Sequence, residues 1–508
     1  MNLRHYFGCA QPRLDGVLFM APLLLAVAPG CAPQDAGHGH GILVVAVDAL
    51  RADHVQSAGY DRRTTPFLDG LAAEGVSFGS AWSSGPGIVP AQVALLTGCD
   101  PLLARVPPLL KDGPRATPLV GWNIPDEVPR LAVELLANGY TTAAFVDHPL
   151  IGSLRGFDQG FVDWVDYGGG WSADAFEFGI RGVGGRFLEW LRERESGEDW
   201  FAYVHMNDLE RIWKMSVDEL PPVFEPRPEL GRVPPLGASE PLYYSLPRSR
   251  WNGTDRSLGE LEAVYDSALL EVDKNLARLF AQMKRRGHWD KTTVVVVGTF
   301  GVGFGDSGFI AASGSLSDVD LHVPFIIRPA PGGRFEAGRR IEAPVSLVDL
   351  PPTVLALAGI QAPTGMHGVS LVPAMGGSDE PPREFAFASS FISEGYTVID
   401  DQFCYERSRP GSRGPGPLSR SWYGDDVSRR SEYREVLHDR LAGGAIGHLD
   451  LGLRDPAIRA SMRAAGRQWY SLIGRARVIL HRLPWASEAP DPVEVAELRA
   501  AGVLGIWP

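Results

Sequence analysis

Short, wholly apolar runs rich in β-branched residues constrain the fold of this chain more than any other feature. The first run occupies residues 42–47 (ILVVAV) and ends at Asp48, and a second, VVVV, occupies residues 294–297. Such runs are typical of strands buried on both faces, as in parallel sheets covered by helices on each side. Stretches of helical period lie between the runs, and the longest covers residues 258–286. The alternation predicts an α/β fold around a mostly parallel sheet.

The pattern changes near residue 378. Residues 384–391, 395–400 and 402–407 alternate in the manner of antiparallel strands, and residues 456–483 have helical period. We therefore expect a main α/β domain over residues 41–377 and a small α+β domain over residues 378–508.

The first 40 residues have the composition of a processing and tether region. A basic start precedes an apolar run at residues 16–28, which is too short to span a bilayer comfortably. The run ends in Ala-Pro-Gly-Cys at Cys31, and small residues before a cysteine resemble the lipobox of bacterial lipoproteins. We predict a signal peptide and lipobox over residues 1–31, with lipidation at Cys31, and a flexible tether over residues 32–40. A simple cleaved signal peptide and an uncleaved anchor are the alternatives.

This interpretation predicts an exported protein of the bacterial cell envelope, on the periplasmic or outer-membrane face, that meets the membrane through a lipid anchor only. The formal net charge is −13, which argues against a general nucleic-acid binder, because phosphate neutralisation requires a basic face. Four cysteines are too few and too scattered for a disulfide scaffold or a zinc ribbon. Whether Cys99 and Cys404 pair cannot be read from their spacing.

Residues 41–98, from GILVVAVDALRAD to ALLTG, resemble the N-terminal signature of the sulfatases, within the alkaline-phosphatase-like superfamily. Later segments match the same family in the same order, among them FAYVHMND at 201–208 and SLVDLPPTVLALAGI at 346–360. The resemblance covers residues 41–375. It implies a three-layer α/β sandwich around a large mixed sheet, with a small C-terminal domain.

The resemblance also implies a chemistry that can be checked position by position. In sulfatases a divalent cation, usually calcium, polarises the sulfate, and a modified cysteine or serine attacks sulfur. The first metal aspartate corresponds to Asp48, but the nucleophile position is Ile88 and the arginine position is Gln92. The Asp-His or Asp-Asn pair after the last core strand corresponds to Thr299 and Phe300, and the histidine of Asp-Pro-His to Glu210.

One carboxylate cannot supply the six to eight oxygens that calcium prefers. The sequence therefore predicts a pseudo-sulfatase with no catalytic residue, no cofactor and at most a residual metal ligand at Asp48. Its expected ligand is a sulfated or otherwise anionic glycan.

Two alternatives remain. One is an active sulfuric-ester or phosphate-ester hydrolase with a non-standard metal site, which would use calcium; the other is a structural partner of an active sulfatase. A rebuilt site could recruit Ser83 or Ser84 as nucleophile, and Asp306, Asp318 or Glu210 as ligands.

Overall fold

The computed structural model describes thirteen stretches of the chain. The described stretches are residues 39–104, 123–148, 150–166, 179–195, 197–211, 222–227, 258–304, 310–311, 316–332, 335–390, 395–408, 434–440 and 455–482. The predicted signal peptide, most of the tether and Cys31 therefore lie outside the described residues.

The described strands number sixteen and form one large sheet and three smaller ones. They are β1 Gly41–Val47, β2 Val76–Phe78, β3 Ala81–Trp82, β4 Thr141–Val146, β5 Asp163–Asp166, β6 Trp200–Met206, β7 Thr292–Gly298, β8 Gly303–Phe304, β9 Ile310–Ala311, β10 Phe325–Arg328, β11 Arg339–Ile341, β12 Val345–Ser346, β13 Ala386–Ser390, β14 Gly395–Ile399, β15 Phe403–Ser408 and β16 Arg434–Asp439.

Ten α-helices are described alongside them. They are α1 Pro66–Glu74, α2 Ile88–Thr97, α3 Leu131–Ala137, α4 Gly179–Leu191, α5 Asp208–Arg211, α6 Leu258–Arg285, α7 Asp318–Leu321, α8 Leu350–Leu357, α9 Val372–Met375 and α10 Pro456–Arg482. None of the described helices is both long and apolar enough to cross a bilayer.

The large sheet has the strand order β11-β2-β10-β7-β1-β6-β4-β5. Strands β7, β1, β6, β4 and β5 run parallel, whereas β10 is antiparallel to both β7 and β2. The sheet is thus mixed and mostly parallel, as predicted. Every residue of β1, β6 and β7 is buried, which explains why apolar side chains occupy consecutive positions in these strands rather than alternate ones.

Helices cover the sheet in two groups, giving the three layers of the expected sandwich. Helices α1, α4 and α6 pack together, and α2, α3 and α8 form a second group. Helix α2 is unusual because all ten of its residues are buried. It ends at Gly98, whose φ of 66° is the left-handed conformation that favours glycine at a helix C-terminus.

The C-terminal region folds as a separate antiparallel sheet in the order β13-β14-β15-β16, with α10 packed on β14 and β15. The three predicted strands are confirmed, and β16 is an addition that the sequence pattern did not indicate. The opposite face of this sheet, including Ala388, Ile399 and Cys404, packs against Trp82 of the main domain. Cys99 and Cys404 are both buried free thiols.

Asp100, three residues beyond α2, is a buried carboxylate whose ionisation opposes folding. Burial raises the pKa of Asp100 to about 7, so acidification from pH 7 towards pH 4 protonates the native state before the unfolded chain and stabilises the protein through this group. Asp100→Asn is neutral and keeps the oxygen that accepts the Leu102 N–H. We expect it to raise the free energy of unfolding by about 2 kcal/mol at pH 8 and to leave it unchanged at pH 4.

Urea unfolding of both proteins at the two pH values measures this difference. The neighbouring His367, whose pKa burial lowers to about 4, is present in both proteins, so its opposite pH effect cancels in the comparison. A stabilisation of equal size at both pH values would show that Asp100 is not the group responsible.

Candidate functional site

The carboxyl ends of the parallel strands bring polar side chains together at one edge of the sheet. Asp48 follows β1, Thr299 follows β7, and His148 lies two residues beyond β4. His205 is on β6, paired in register with Ala46 of β1. Ligand sites of open α/β sheets form at this edge, because the loops that leave the strands diverge there. We call Asp48, His148, His205, Glu210 and Thr299 the strand-end cluster.

Asp48 is completely buried, and a protein group lies beside each of its carboxylate oxygens. Thr299 donates its hydroxyl to Oδ1 of Asp48 at 2.5 Å. Nε2 of His205 lies 2.9 Å from Oδ2, an ion-pair distance, although the ring nitrogen is not directed closely enough at the oxygen to form a hydrogen bond. The aspartate thus makes a buried contact with an imidazole and a hydroxyl, both supplied by neighbouring strands.

A second histidine and carboxylate lie beside the first pair. Nδ1 of His148 accepts the Leu150 N–H at 3.1 Å, which places the proton of the neutral ring on Nε2. That nitrogen is 3.7 Å from Oε2 of Glu210. The rings of His148 and His205 are perpendicular, with their centroids 6.5 Å apart. Glu210 corresponds in sequence to the histidine of the family's Asp-Pro-His segment. In this structure it therefore faces the imidazole of His148.

Helix α2 borders this region through Gln92. Tyr203 on β6 donates its hydroxyl to Oε1 of Gln92. Burial, followed by the negative charge of Asp48, raises the pKa of Tyr203 well above its usual value, so this phenol remains a hydrogen-bond donor. Ile88 is the first residue of α2 and only 4% exposed, within the main hydrophobic core. Ile88 thus contributes to packing at the helix end where the resemblance placed a nucleophile.

The donor set does not fit a calcium ion. Calcium prefers six to eight oxygen ligands, yet the strand-end cluster has two carboxylates, those of Asp48 and Glu210, and Asp48 already accepts the hydroxyl of Thr299. Phe300, in the other position of the family's ligand pair, is buried in the hydrophobic core. No group of three or more histidine, cysteine or acidic side chains among the described residues could hold a metal ion.

Several polar atoms near the strand ends lack hydrogen bonds to the described residues. They include Nε2 of Gln92, Nδ1 of His205 and Oδ1 of Asn207, all buried. Buried polar groups nearly always have a partner, which can be an ordered water or a ligand. This part of the molecule therefore has unused hydrogen-bonding capacity even though it lacks a metal-binding set.

The other residues that could have rebuilt a catalytic site are placed elsewhere or already bonded. Ser83 donates its hydroxyl to the Gly85 carbonyl at 2.8 Å, and the hydroxyl oxygens of Ser84 and Ser346 are 3.1 Å apart. Asp318 is on α7, and Asp306 lies outside the described residues. Of the two described acids, Glu210 lies in the strand-end cluster and Asp318 does not.

Sequence reasoning did not identify His148 and His205 as members of a site. His205 lies inside an apolar strand, where a lone histidine is usually a core residue. The signal that could have found both is their position at or just beyond the carboxyl ends of predicted parallel strands, since such ends meet at one edge of the sheet.

The fold and the location of this cluster define an alkaline-phosphatase-like α/β protein. The model of the family "Sulfatase" matches residues 41–360, so the chain belongs to the sulfatase family. A solved structure described as "BT1596, a 2-O GAG sulfatase" superposes with a TM-score of 0.64 at 19% identity, covering 86% of this chain and 93% of that one.

The curated relatives are more similar in sequence than that solved structure, but the matches cover a smaller share of the chain. The ulvan-active sulfatase of Formosa agariphila is 26% identical over 74% of this chain and 75% of its own length. Arylsulfatase K of Danio rerio is 31% identical, but the match covers 29% of this chain and 28% of that protein. The chain thus spans less than a third of this second relative.

Proposed function

We propose that this protein is a catalytically silent sulfatase that acts by binding an anionic glycan. The observation that carries the first half is the state of Asp48: its two oxygens contact Thr299 and His205, and no group of three or more histidine, cysteine or acidic side chains among the described residues could hold a metal ion. Without a donor set that fits a metal ion among the described residues, and without an oxygen or sulfur nucleophile at Ile88, the chain lacks the two components on which the family's reaction depends.

The second half of the proposal is supported by the unused polar atoms and by the relatives. Gln92, His205 and Asn207 keep buried hydrogen-bonding groups available near the strand ends. The relatives include an ulvan-active sulfatase and a 2-O GAG sulfatase, whose names denote sulfated polysaccharides. A glycan offers many hydroxyl groups, which can donate to and accept from such amide and imidazole atoms.

Turnover and metal content test the loss of catalysis. We expect the purified protein, dialysed against a chelator, to hydrolyse neither 4-nitrophenyl sulfate nor 4-nitrophenyl phosphate, with or without added calcium, and to contain no stoichiometric metal. Asp48→Asn is the matched control, because any contaminating activity persists in this variant. Hydrolysis that requires Asp48, or stoichiometric calcium or zinc, would support the active-hydrolase alternative instead.

Titration with oligosaccharides tests the binding function. Sulfated and desulfated oligosaccharides cut from one glycosaminoglycan serve as probes, with Asn207→Ala as the site variant and Asn138→Ala as the control on the exposed end of α3. We expect the site variant to bind several-fold more weakly and the control to bind as the wild type does. If neither probe binds and an active sulfatase co-purifies with the protein, the structural-partner alternative is favoured.

We propose further that the protein is exported and held at the cell envelope by an acylated Cys31. The lipobox-like Ala-Pro-Gly-Cys supports this assignment. Cys31→Ser should move the protein from the membrane fraction to the soluble fraction of the producing bacterium, because a single thiol is the attachment point. A variant that stays in the membrane fraction would favour an uncleaved anchor.

A further inference from the structure

Helix α10 carries positive charge in an otherwise acidic chain. Its sequence, PAIRASMRAAGRQWYSLIGRARVILHR, contains six arginines and no aspartate or glutamate, whereas the chain as a whole has a formal charge of −13. A charge distribution of this kind produces a local positive potential without making the protein generally basic.

The helix packs against the C-terminal sheet through an apolar stripe. Met462 and Trp469 are buried in that stripe, and the Trp469 ring stacks on Phe387 with centroids 5.0 Å apart. Gly466 permits the close approach, because a Cβ atom there would lie 2.3 Å from the Tyr396 ring. The helix is therefore held at a defined rotation, which fixes the face that it presents outward.

Arg459, Arg463 and Arg467 follow one another at intervals of four residues, so they lie in a row with steps of about 6 Å along the helix axis. Arg407 of β15 is adjacent to this row, since it contacts the same residue of β16, Glu435, as Arg459 and Arg463 do. We call these four arginines the arginine face.

Three guanidinium groups of the arginine face contact one carboxylate, that of Glu435. Nε of Arg407 is 3.7 Å from one oxygen of Glu435, and Nη2 of Arg459 is 3.6 Å from the other. Arg463 is hydrogen-bonded to that second oxygen. One carboxylate is thus shared by three guanidinium groups, and Arg467 is exposed.

Guanidinium groups recognise sulfate and carboxylate groups through paired hydrogen bonds, which the planar fork of donors favours. Tyr470 lies next to this row with its side chain 40% exposed, and its ring is 5.3 Å from that of Tyr396. An aromatic surface beside regularly spaced cations suits a chain of sugar rings that carry repeated negative charges.

We propose that the arginine face is a binding surface for a polyanionic polysaccharide, separate from the strand-end cluster. The surface lies on the C-terminal sheet and its helix, and its recognition of charge does not require Asp48 or the metal chemistry of the family. The proposal goes beyond the proposed function because it assigns the recognition of anions to the C-terminal domain. The strand-end cluster, by contrast, contains two acidic side chains, Asp48 and Glu210.

The test uses the full mature protein with dextran sulfate as probe and uncharged dextran as its matched control. We expect binding to dextran sulfate that weakens as salt is added, and no binding to dextran. The double variant Arg463→Gln/Arg467→Gln should bind at least about tenfold more weakly, because two charge-assisted contacts are lost. The control double variant Arg181→Gln/Arg278→Gln removes the same charge from exposed positions on α4 and α6 and should bind as the wild type does.

Three results would overturn the proposal. They are no binding to dextran sulfate, equal weakening in the two double variants, and binding to phosphatidylserine vesicles in place of dextran sulfate, which would indicate a membrane partner. Thermal unfolding verifies that each variant is folded, and if the double variant is not, the single Arg467→Glu variant replaces it. Asp48→Asn should bind dextran sulfate normally, so the outcome is independent of catalysis and of the strand-end cluster.

Discussion

Replacing Asp349 with alanine is expected to lower the free energy of unfolding by about 3–5 kcal/mol. Asp349 is completely buried, and it accepts the backbone N–H groups of Ser346 and Val369 at 2.8 Å each. It also pairs with Arg383, which is only 2% exposed and lies just before the first strand of the C-terminal sheet. Alanine would remove the carboxylate that pairs with this buried guanidinium and would leave two backbone donors without their acceptor.

Urea unfolding of the single variant measures this loss, and a double variant separates its causes. Asp349→Leu/Arg383→Met removes both charges and keeps apolar volume, so we expect it to be more stable than Asp349→Ala by roughly half of the loss. A single variant that loses less than about 1 kcal/mol would contradict the prediction. A double variant less stable than the single one would show that the charge of Arg383 is not the main cost.

Replacing Asp48 with alanine is expected to lower the free energy of unfolding by about 2–3 kcal/mol. In this structure Asp48 satisfies the hydroxyl of Thr299 and faces His205, and all three side chains are fully buried. Asp48→Asn keeps the acceptor oxygen for Thr299, so its cost should be about half as large. Denaturant unfolding in the presence of a chelator measures both variants.

The direction of the Asp48 effect distinguishes an internal pair from an empty metal site. In an empty metal site with several carboxylates, removing one carboxylate relieves repulsion between like charges and stabilises the metal-free protein. Where one carboxylate accepts a hydroxyl and faces a histidine, removing it leaves the hydroxyl without that acceptor and the histidine without a facing carboxylate. An Asp48→Ala variant more stable than the wild type, combined with stabilisation of the wild type by calcium, would contradict the silent-enzyme proposal.

The sequence predicted the strands that are completely buried more reliably than the strands at the edges of the sheet. Strands β1 and β7 were predicted because each residue of a strand buried on both faces must be apolar. Strand β5 has the sequence DWVD and β11 the sequence RRI, and both are outermost strands of the sheet. Such strands are defined by pairing with a neighbour distant in the chain, which no local pattern records. The local sequence pattern also did not indicate that β10 runs antiparallel to its neighbours in the sheet.

The candidate site likewise combines features that the sequence determined with contacts that only the folded structure shows. The sequence alone determined the fold class, the family, the place of Asp48 after the first strand and the apolar side chain at position 88, because each depends on local pattern or on aligned segments. Only the tertiary structure decided that Asp48 contacts His205 and Thr299 and that His148 faces Glu210, since these residues come from strands up to 251 positions apart. The physical reason is that partners at the edge of a parallel sheet are set by strand order and register, which are long-range properties of the folded chain.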